Sequence, residues 1–271
     1  MTRIAILQMT SGIDPKANAE TLRDAIAKAK AGGAQMLFTP EMSGMLDRDR
    51  KRAAGNIASE ENDLVLAAVR EAAAEHAMWV ALGSLAIEND DGSWANRSFV
   101  VDDAGDIAAR YDKLHMFDVD LETGESWRES NAYRAGEGVT VVETPFGKLG
   151  LTICYDIRFP ALFDALGNAG CDIIAIPAAF TVPTGKAHWH VLQRARAIEA
   201  SAFVVAAAQV GSHADGRITY GHSLAIDPWG EVLRDMGGEA SGIAFVDLEL
   251  DRIEKTRRQV PSLANRRKIA I

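Results

Sequence analysis

At 271 residues, with 48% apolar and 25% charged side chains, the chain is long enough to bury a substantial core without disulfide staples. Its net charge of −9 argues against nucleic acid or an anionic membrane as the main partner, and solubility alone accounts for it. Two cysteines make a poor disulfide framework, so reduced thiols in a cytoplasmic protein are expected.

In chain order, residues 4–8 read as a strand, and Met1-Thr2-Arg3 before it carries no long apolar stretch or small-residue cleavage site of a secretory signal. Residues 17–31 read as a helix, with Asn18, Glu20 and Lys28 offsetting a stripe of Ala, Leu and Ile. Met36-Leu37-Phe38-Thr39 predicts a strand stopped by Pro40, residues 61–76 a helix, and Trp79 to Leu85 a further strand. Ser98 to Val101 and Ile107 to Arg110 flank Asp102-Asp103-Ala104-Gly105-Asp106 as a hairpin. Residues 113–138 are charged and irregular, and so long a stretch in a compact domain is often functional. A second hairpin is expected over 139–143 and 148–153. A helix at 160–168, a strand at 172–176, a helix at 186–201 and a strand at 203–208 follow. Hairpin-like runs at 220–226, 231–235 and 242–247 close the pattern.

No Pro/Gly/Ser linker divides the chain, so residues 1–271 read as one domain, and no segment approaches the roughly 18 uninterrupted apolar residues of a membrane helix. Strands alternating with helices indicate an α/β domain with a mixed sheet. The strands exceed one open sheet, which points to two stacked sheets between helices. From about residue 251 a helical and then basic tail (Arg257, Arg258, Arg266, Arg267, Lys268) reads as a contact with a partner subunit or as a solvated end.

Cys154 ends a strand and precedes Tyr155-Asp156-Ile157-Arg158-Phe159-Pro160, which enters a helix. A nucleophile at a strand-to-helix turn is exposed at the sheet edge, and the helix dipole favours its thiolate. A buried structural cysteine fits the same position. Cys171 opens a buried strand and reads as packing. Glu41 follows Pro40 at the end where parallel sheets place their ligands, and a partly desolvated carboxylate there can act as general base; a capping or solvated glutamate is the plainer alternative. Lys113, in Arg110-Tyr111-Asp112-Lys113-Leu114-His115-Met116-Phe117, reads by default as a surface lysine, but its apolar and aromatic neighbours suggest an inward turn, where Glu129 of the following loop could hold it. Cysteine, glutamate and lysine together supply the nucleophile, proton carrier and oxyanion stabiliser of amide hydrolysis.

His188-Trp189-His190 resembles a metal pair, but on a helix the two rings face different ways, so no metal is expected. His222 leaves open a papain-like pairing with Cys154. No glycine-rich phosphate loop is found.

Three stretches, Pro40-Glu41-Met42, Tyr111-Asp112-Lys113-Leu114-His115 and Ile153 to Pro160, give the chain a strong resemblance to the nitrilase superfamily of carbon–nitrogen hydrolases over almost its whole length. The resemblance implies a four-layer α-β-β-α sandwich with two mixed sheets, assembling through helical faces into homodimers or larger oligomers. It implies a triad of Glu41, Lys113 and Cys154, with Glu129 as the second glutamate that orders the lysine. The Tyr155 backbone N–H joins Lys113 in an oxyanion hole, and no cofactor is needed. His222 becomes a pocket or framework residue.

Tyr155-Asp156 after the cysteine, in place of Trp-Glu, favours amidases. Ala187-His188-Trp189, Arg194 to Glu199, Val205 to Gln209, Tyr220-Gly221-His222-Ser223 and Asp227-Pro228-Trp229-Gly230 resemble the Nit-type branch, within it deaminated-glutathione amidases. A small carboxylate-bearing amide is then the implied substrate, with an ω-amidase of 2-oxoglutaramate, an N-carbamoyl amino-acid hydrolase and a non-catalytic scaffold as rivals. Arg158, Lys186, Arg217 and His222 are candidate partners for its carboxylate, and Phe180 and Thr181 candidate pocket residues.

Overall fold

Along the strand Thr2–Gln8, Ile4 and Ile6 point to one side, Ala5 and Leu7 to the other, and all four are buried. A strand buried on both faces lies between two layers. Ile4 and Ile6 meet a core that includes Leu149, Ile173 and Val204 of a second sheet. Ala5 and Leu7 pack with Leu22 and Ile26 of the helix Pro15–Ala31 and Val65 and Val69 of the helix Leu64–His76. The two-residue period of one strand thus separates the sheet-to-sheet core from the sheet-to-helix core. The computed structural model describes residues 1–122, 124 and 126–267.

The first sheet has seven strands, in the order Gly242–Leu248, Thr2–Gln8, Met36–Phe38, Trp79–Glu88, Trp94–Val101 and Ile107–Asp112, with Ala58–Ser59 paired to the fourth. The second has six: Val232–Asp235, Leu224–Ile226, Phe203–Ala206, Ile173–Ala175, Gly147–Leu151 and Val141–Thr144. Both mix parallel and antiparallel pairs. The helices Pro160–Asn168 and Val182–Ala200 bring Phe163, Leu166, Trp189 and Ala200 to the second sheet, completing an α-β-β-α sandwich. Among the described residues no helix is long and apolar enough to cross a membrane.

Several boundaries differ from expectation for identifiable reasons. The helices starting at Pro15 and Val182 begin earlier than expected, because proline fits a first helical turn, where its missing N–H has no partner to lose. The strand expected over 148–153 ends at Leu151. The single run expected at 220–226 is two strands. Ile218–Tyr220 pairs with Val210–Ser212, while Leu224–Ile226 pairs with Phe203–Ala206, and left-handed Gly221 (φ 71°) and His222 (φ 54°) turn the chain between them. The stretch expected to be irregular carries a hairpin, Asp118–Asp120 with Ser126–Arg128, and a 3-10 turn at Glu129–Asn131.

The tail from 251 begins as the helix Asp251–Gln259, with Ile253 buried. Among its arginines, Arg252 pairs with Asp227 and Glu231, Arg258 pairs with Glu254, and two more reach back to the body of the chain. Arg257 donates to the Cys171 carbonyl at 2.6 Å, and Arg266 to the Asp164 carbonyl and the Asn168 side chain, both at 2.9 Å. Lys268 lies outside the described residues.

Candidate active site

Glu41 lies just beyond the C-terminal end of Met36–Phe38, Cys154 just beyond that of Gly147–Leu151, and Lys113 directly after Ile107–Asp112. The last strand is antiparallel to Trp94–Val101, itself antiparallel to Trp79–Glu88, which runs parallel to Met36–Phe38. Two reversals restore the direction, so Lys113 and Glu41 emerge at one end of their sheet. Asn96, near the start of the intervening strand, reaches the same end. The turn that delivers Glu41 passes so close to Gly83 that a Cβ there would collide with the Thr39 and Pro40 carbonyl oxygens.

Lys113 Nζ stands 2.9 Å from Glu41 Oε1 and 2.8 Å from Glu129 Oε2. Glu41, Lys113 and Cys154 are all buried. The Asn96 amide donates to Glu41 Oε1 at 3.0 Å and to Glu129 Oε1 at 3.1 Å, bridging the two carboxylates. The other Glu41 oxygen takes the Ala179 N–H at 2.9 Å, and Glu129 takes the Phe117 N–H at 2.7 Å. Each carboxylate is thereby held by both a charge and fixed N–H donors, the arrangement that makes buried charge tolerable.

Burial pushes the Glu41 carboxyl up, but the Lys113 charge and hydrogen bonds from Lys113, Cys154 and Asn96 override it, and the net shift is down from the ordinary 4.5. Burial pushes the Lys113 ammonium down, but Glu129, Glu41 and Cys154 outweigh it and hold the group well above the ordinary 10.5. For Cys154, burial and then the Glu41 charge raise the thiol well above 9.0, against the pull of Lys113 and the Ala179 N–H. The expectation of a thiolate favoured by a helix dipole is therefore corrected. Cys154 opens a five-residue 3-10 turn, Cys154–Arg158, and the helix proper begins only at Pro160. The resting arrangement is thiol, carboxylate and ammonium, so removal of the thiol proton must accompany attack on a substrate.

The backbone around the nucleophile is constrained. Cys154 has φ 49° and Met42, next to Glu41, φ 53°, left-handed values that cost a non-glycine residue about 1 kcal/mol or more. Asp156 holds the turn in place. Its carboxylate accepts from the Tyr111 hydroxyl (2.7 Å), the Ile153 N–H (2.9 Å) and the His115 N–H (3.0 Å), with the His115 ring at 2.7 Å. The segment bearing Lys113 is thus tied to the turn bearing Cys154.

The remaining expected site residues divide. Tyr155 packs between Phe117 and Phe159, at 5.1 and 5.3 Å. Phe180 follows Ala179 and is buried against Trp189 at 4.8 Å. Arg158 lies over the Phe180 ring at 5.4 Å and the Tyr155 ring at 5.8 Å, with His188 Nδ1 at 3.2 Å. Thr181 spends its hydroxyl on Thr184 at 2.7 Å. Lys186 is exposed on its helix, and Arg217 is paired with Asp215 at 2.7 Å. His222 bonds Asp235 at 3.0 Å and stacks on Tyr220; the groups acting on the Cys154 thiol are Glu41, Lys113 and the Ala179 N–H, with no histidine among them. The papain-like pairing falls away on that ground.

Asn96 and the Ala179 N–H were not anticipated. The signal for Asn96 was a lone amide inside an otherwise buried strand; a backbone donor such as Ala179 leaves no mark in a sequence.

Comparison with known proteins agrees with the geometry. The profile of the carbon-nitrogen hydrolase family matches residues 3–258. A deaminated glutathione amidase of Yersinia enterocolitica is 39% identical over 268 residues, covering 97% of this chain and 92% of that protein. The C. elegans NitFhit protein superposes with a TM-score of 0.90 at 34% identity, over 98% of this chain and 65% of its own. An amidase of Nesterenkonia sp. AN1 superposes with a TM-score of 0.81 at 26% identity, covering 96% of this chain and 98% of that one. It was solved as a glutamate-to-glutamine mutant with acrylamide added to its active site cysteine.

Proposed function

The chain belongs to the carbon–nitrogen hydrolase family, and from that premise we propose that it hydrolyses deaminated glutathione to 2-oxoglutarate and cysteinylglycine through a thioester on Cys154. The observation that carries the residue assignment is the buried contact of Lys113 with both Glu41 and Glu129, with Glu41 and Lys113 both acting on the Cys154 thiol.

As Cys154 Sγ attacks the amide carbonyl carbon, Glu41 takes its proton. The oxyanion that develops is stabilised by the Lys113 ammonium and the Tyr155 N–H, the kind of fixed donor pair that lowers such a barrier by several kcal/mol. Glu41 passes the proton to the leaving nitrogen, the C–N bond breaks and a thioester remains. Water, deprotonated by Glu41, then attacks the thioester. The acid departs and Cys154 recovers its proton. Glu129 keeps Lys113 charged and aimed. The neutral resting thiol supports this order, since no thiolate is stored beforehand.

The substrate assignment rests on the relatives and on Arg158. Its polar partner among the described residues is a histidine nitrogen rather than a carboxylate, and it lies over Phe180 and Tyr155 beside the nucleophile. Such a guanidinium suits the 2-oxo-acid carboxylate of the acyl part. We read the chain as one domain, since both sheets share one core, and as cytoplasmic, since its nucleophile requires a reduced thiol. A homodimer through the helical face is supported by exposed Val191, Ile198, Trp229 and Val260, the last three lining a groove of about 290 Å³. Light scattering on the purified protein tests that assembly.

Activity is tested by intact-protein mass spectrometry after brief exposure to deaminated glutathione, alongside release of 2-oxoglutarate. Rapid release with an acyl adduct on Cys154 is expected. Turnover of 2-oxoglutaramate or a carbamoyl amino acid instead would keep the triad and discard the substrate. Full activity in Cys154→Ala would overturn the mechanism.

A further inference from the structure

Outside the catalytic cluster, three potential ligands from separate elements converge. His190 comes from the Val182–Ala200 helix, His222 from the turn after Ile218–Tyr220, and Asp235 from the end of Val232–Asp235. One ligand atom from each lies within 4.8 Å of the other two. Asp235 Oδ2 is 3.0 Å from His190 Nε2 and 3.1 Å from His222 Nδ1, and Asp235 Oδ1 accepts the Gly237 N–H at 2.9 Å.

A hydrogen-bonded surface cluster is the plain account, and the geometry asks for more than that. His222 is held at φ 54°, a left-handed value uncommon outside glycine. Its N–H is fixed on the Gly237 carbonyl and its carbonyl on the Trp189 indole, both at 2.8 Å. The imidazole is therefore presented from a locked backbone. A single carboxylate oxygen faces two imidazole nitrogens, a convergence in which one cation can replace two N–H donors. Tyr220 walls one side, stacked on His222 at 4.4 Å and edge-on to His190 at 6.2 Å. The other side is open, with the three side chains 37%, 25% and 35% exposed, which leaves room for a water ligand.

We propose that His190, His222 and Asp235 form a three-ligand site for a divalent transition ion of the zinc and cobalt class. Two imidazoles and a carboxylate match these ions in donor type, and the carboxylate–imidazole separations of 3.0 and 3.1 Å need widen by only a few tenths of an ångström to reach the roughly 3.3–3.6 Å edge of a coordination tetrahedron with bonds of roughly 2.0–2.2 Å. Magnesium and calcium favour all-oxygen sets. An ion there would join the helix, the turn and the edge strand. Trp189, next to His190, packs on Phe180, which follows the Ala179 whose N–H holds Glu41. The site lies outside the hydrolytic cluster, and its test does not depend on the substrate assignment.

Full-length protein carrying Cys154→Ala, which removes the competing thiol, is stripped with chelator and titrated with Co²⁺ while its visible spectrum is recorded. Zn²⁺ competition follows by calorimetry. One equivalent of Co²⁺ with ligand-field bands, displaced by one equivalent of Zn²⁺, is expected, with affinity at least tenfold lower in His190→Ala and Asp235→Asn. Half-exposed His190 can be lost without unfolding, which the metal-free melting temperature checks; His190→Gln stands in should the alanine variant fail to fold. Absence of stoichiometric binding to the parent, or equal affinity in the variants, overturns the proposal.

Discussion

Replacing Lys113 by methionine separates what the ammonium does for the fold from what it does for the chemistry. The side chain is almost fully buried between two carboxylates at 2.9 and 2.8 Å. Its removal leaves them facing each other across the Asn96 amide. Breaking a buried ion pair on one side costs about 3–5 kcal/mol, and the partial exposure of Glu129 places the value near the lower end, about 3 kcal/mol. With a urea slope of about 3 kcal/mol/M, the unfolding midpoint falls by about 1 M. Loss of an oxyanion donor independently lowers kcat by about 10²–10³. With its cation gone, Glu41 is dominated by burial and its folded pKa rises. A raised carboxyl stabilises the fold below its unfolded value and loses that contribution as pH rises. The penalty is therefore full above the raised folded value, shrinks as pH falls through it, and is gone below the ordinary 4.5. Adding Glu129→Gln to Lys113→Met removes one of the two opposed charges and recovers about 1–3 kcal/mol of stability while turnover stays low. Urea denaturation and single-turnover acylation read the two effects. Parental kcat in Lys113→Met, or recovered turnover in the double variant, would refute the oxyanion role.

Four further outcomes are expected. The profile of kcat/KM against pH is flat through neutrality: its acid limb lies below 4.5, because Glu41 is held down and must be ionised, and its alkaline limb lies above 9.0, because Cys154 and Lys113 are both held up. An acid limb near the imidazole value of about 6.5 would point to a histidine base instead. Asn96→Leu removes hydrogen bonds to two carboxylates, each worth about 1.5–3 kcal/mol, and lowers kcat at least about tenfold while moving the acid limb upward; an unmoved limb would end that role. Arg158→Gln raises KM for the carboxylate substrate by about 10–100-fold and leaves turnover of a neutral amide unchanged, whereas equal losses on both would make Arg158 structural. Asp156→Asn turns an amide donor against the N–H groups it serves, and a loss of about 3 kcal/mol is expected from urea denaturation.

Much of this site was legible because its residues stand at strand ends, where apolar runs stop and chemistry begins. Glu41, Lys113 and Cys154 could be picked out in that way, and the layer order followed from alternation and from the number of strands. Glu129 could be named from the sequence only as one charged residue of the loop after Lys113, and its role came from the family resemblance, since the strands before it are three residues long and too short to show a period. The protonation of Cys154 was misjudged. A local argument weighed the nearby helix, but burial and then the Glu41 carboxylate, which arrives from the other sheet, raise the thiol against the pull of Lys113. Thr181 was expected in the pocket by its place after a strand, yet its hydroxyl is bonded to Thr184, one turn into the helix it caps. His222 was readable as a polar landmark, but its partner Asp235 lies on a different strand, and no spacing rule connects the two.

The left-handed backbone at Cys154 sets stability and turnover against each other at a single codon. Glycine is the residue that relaxes such a conformation, and a nucleophile is what glycine cannot supply. A library of this chain screened only for heat resistance would drift toward Cys154→Gly and yield hardier proteins with no chemistry. Thermal selection therefore has to be coupled to product formation, and chains with glycine at this position would be recognisable as having left catalysis while keeping the sandwich.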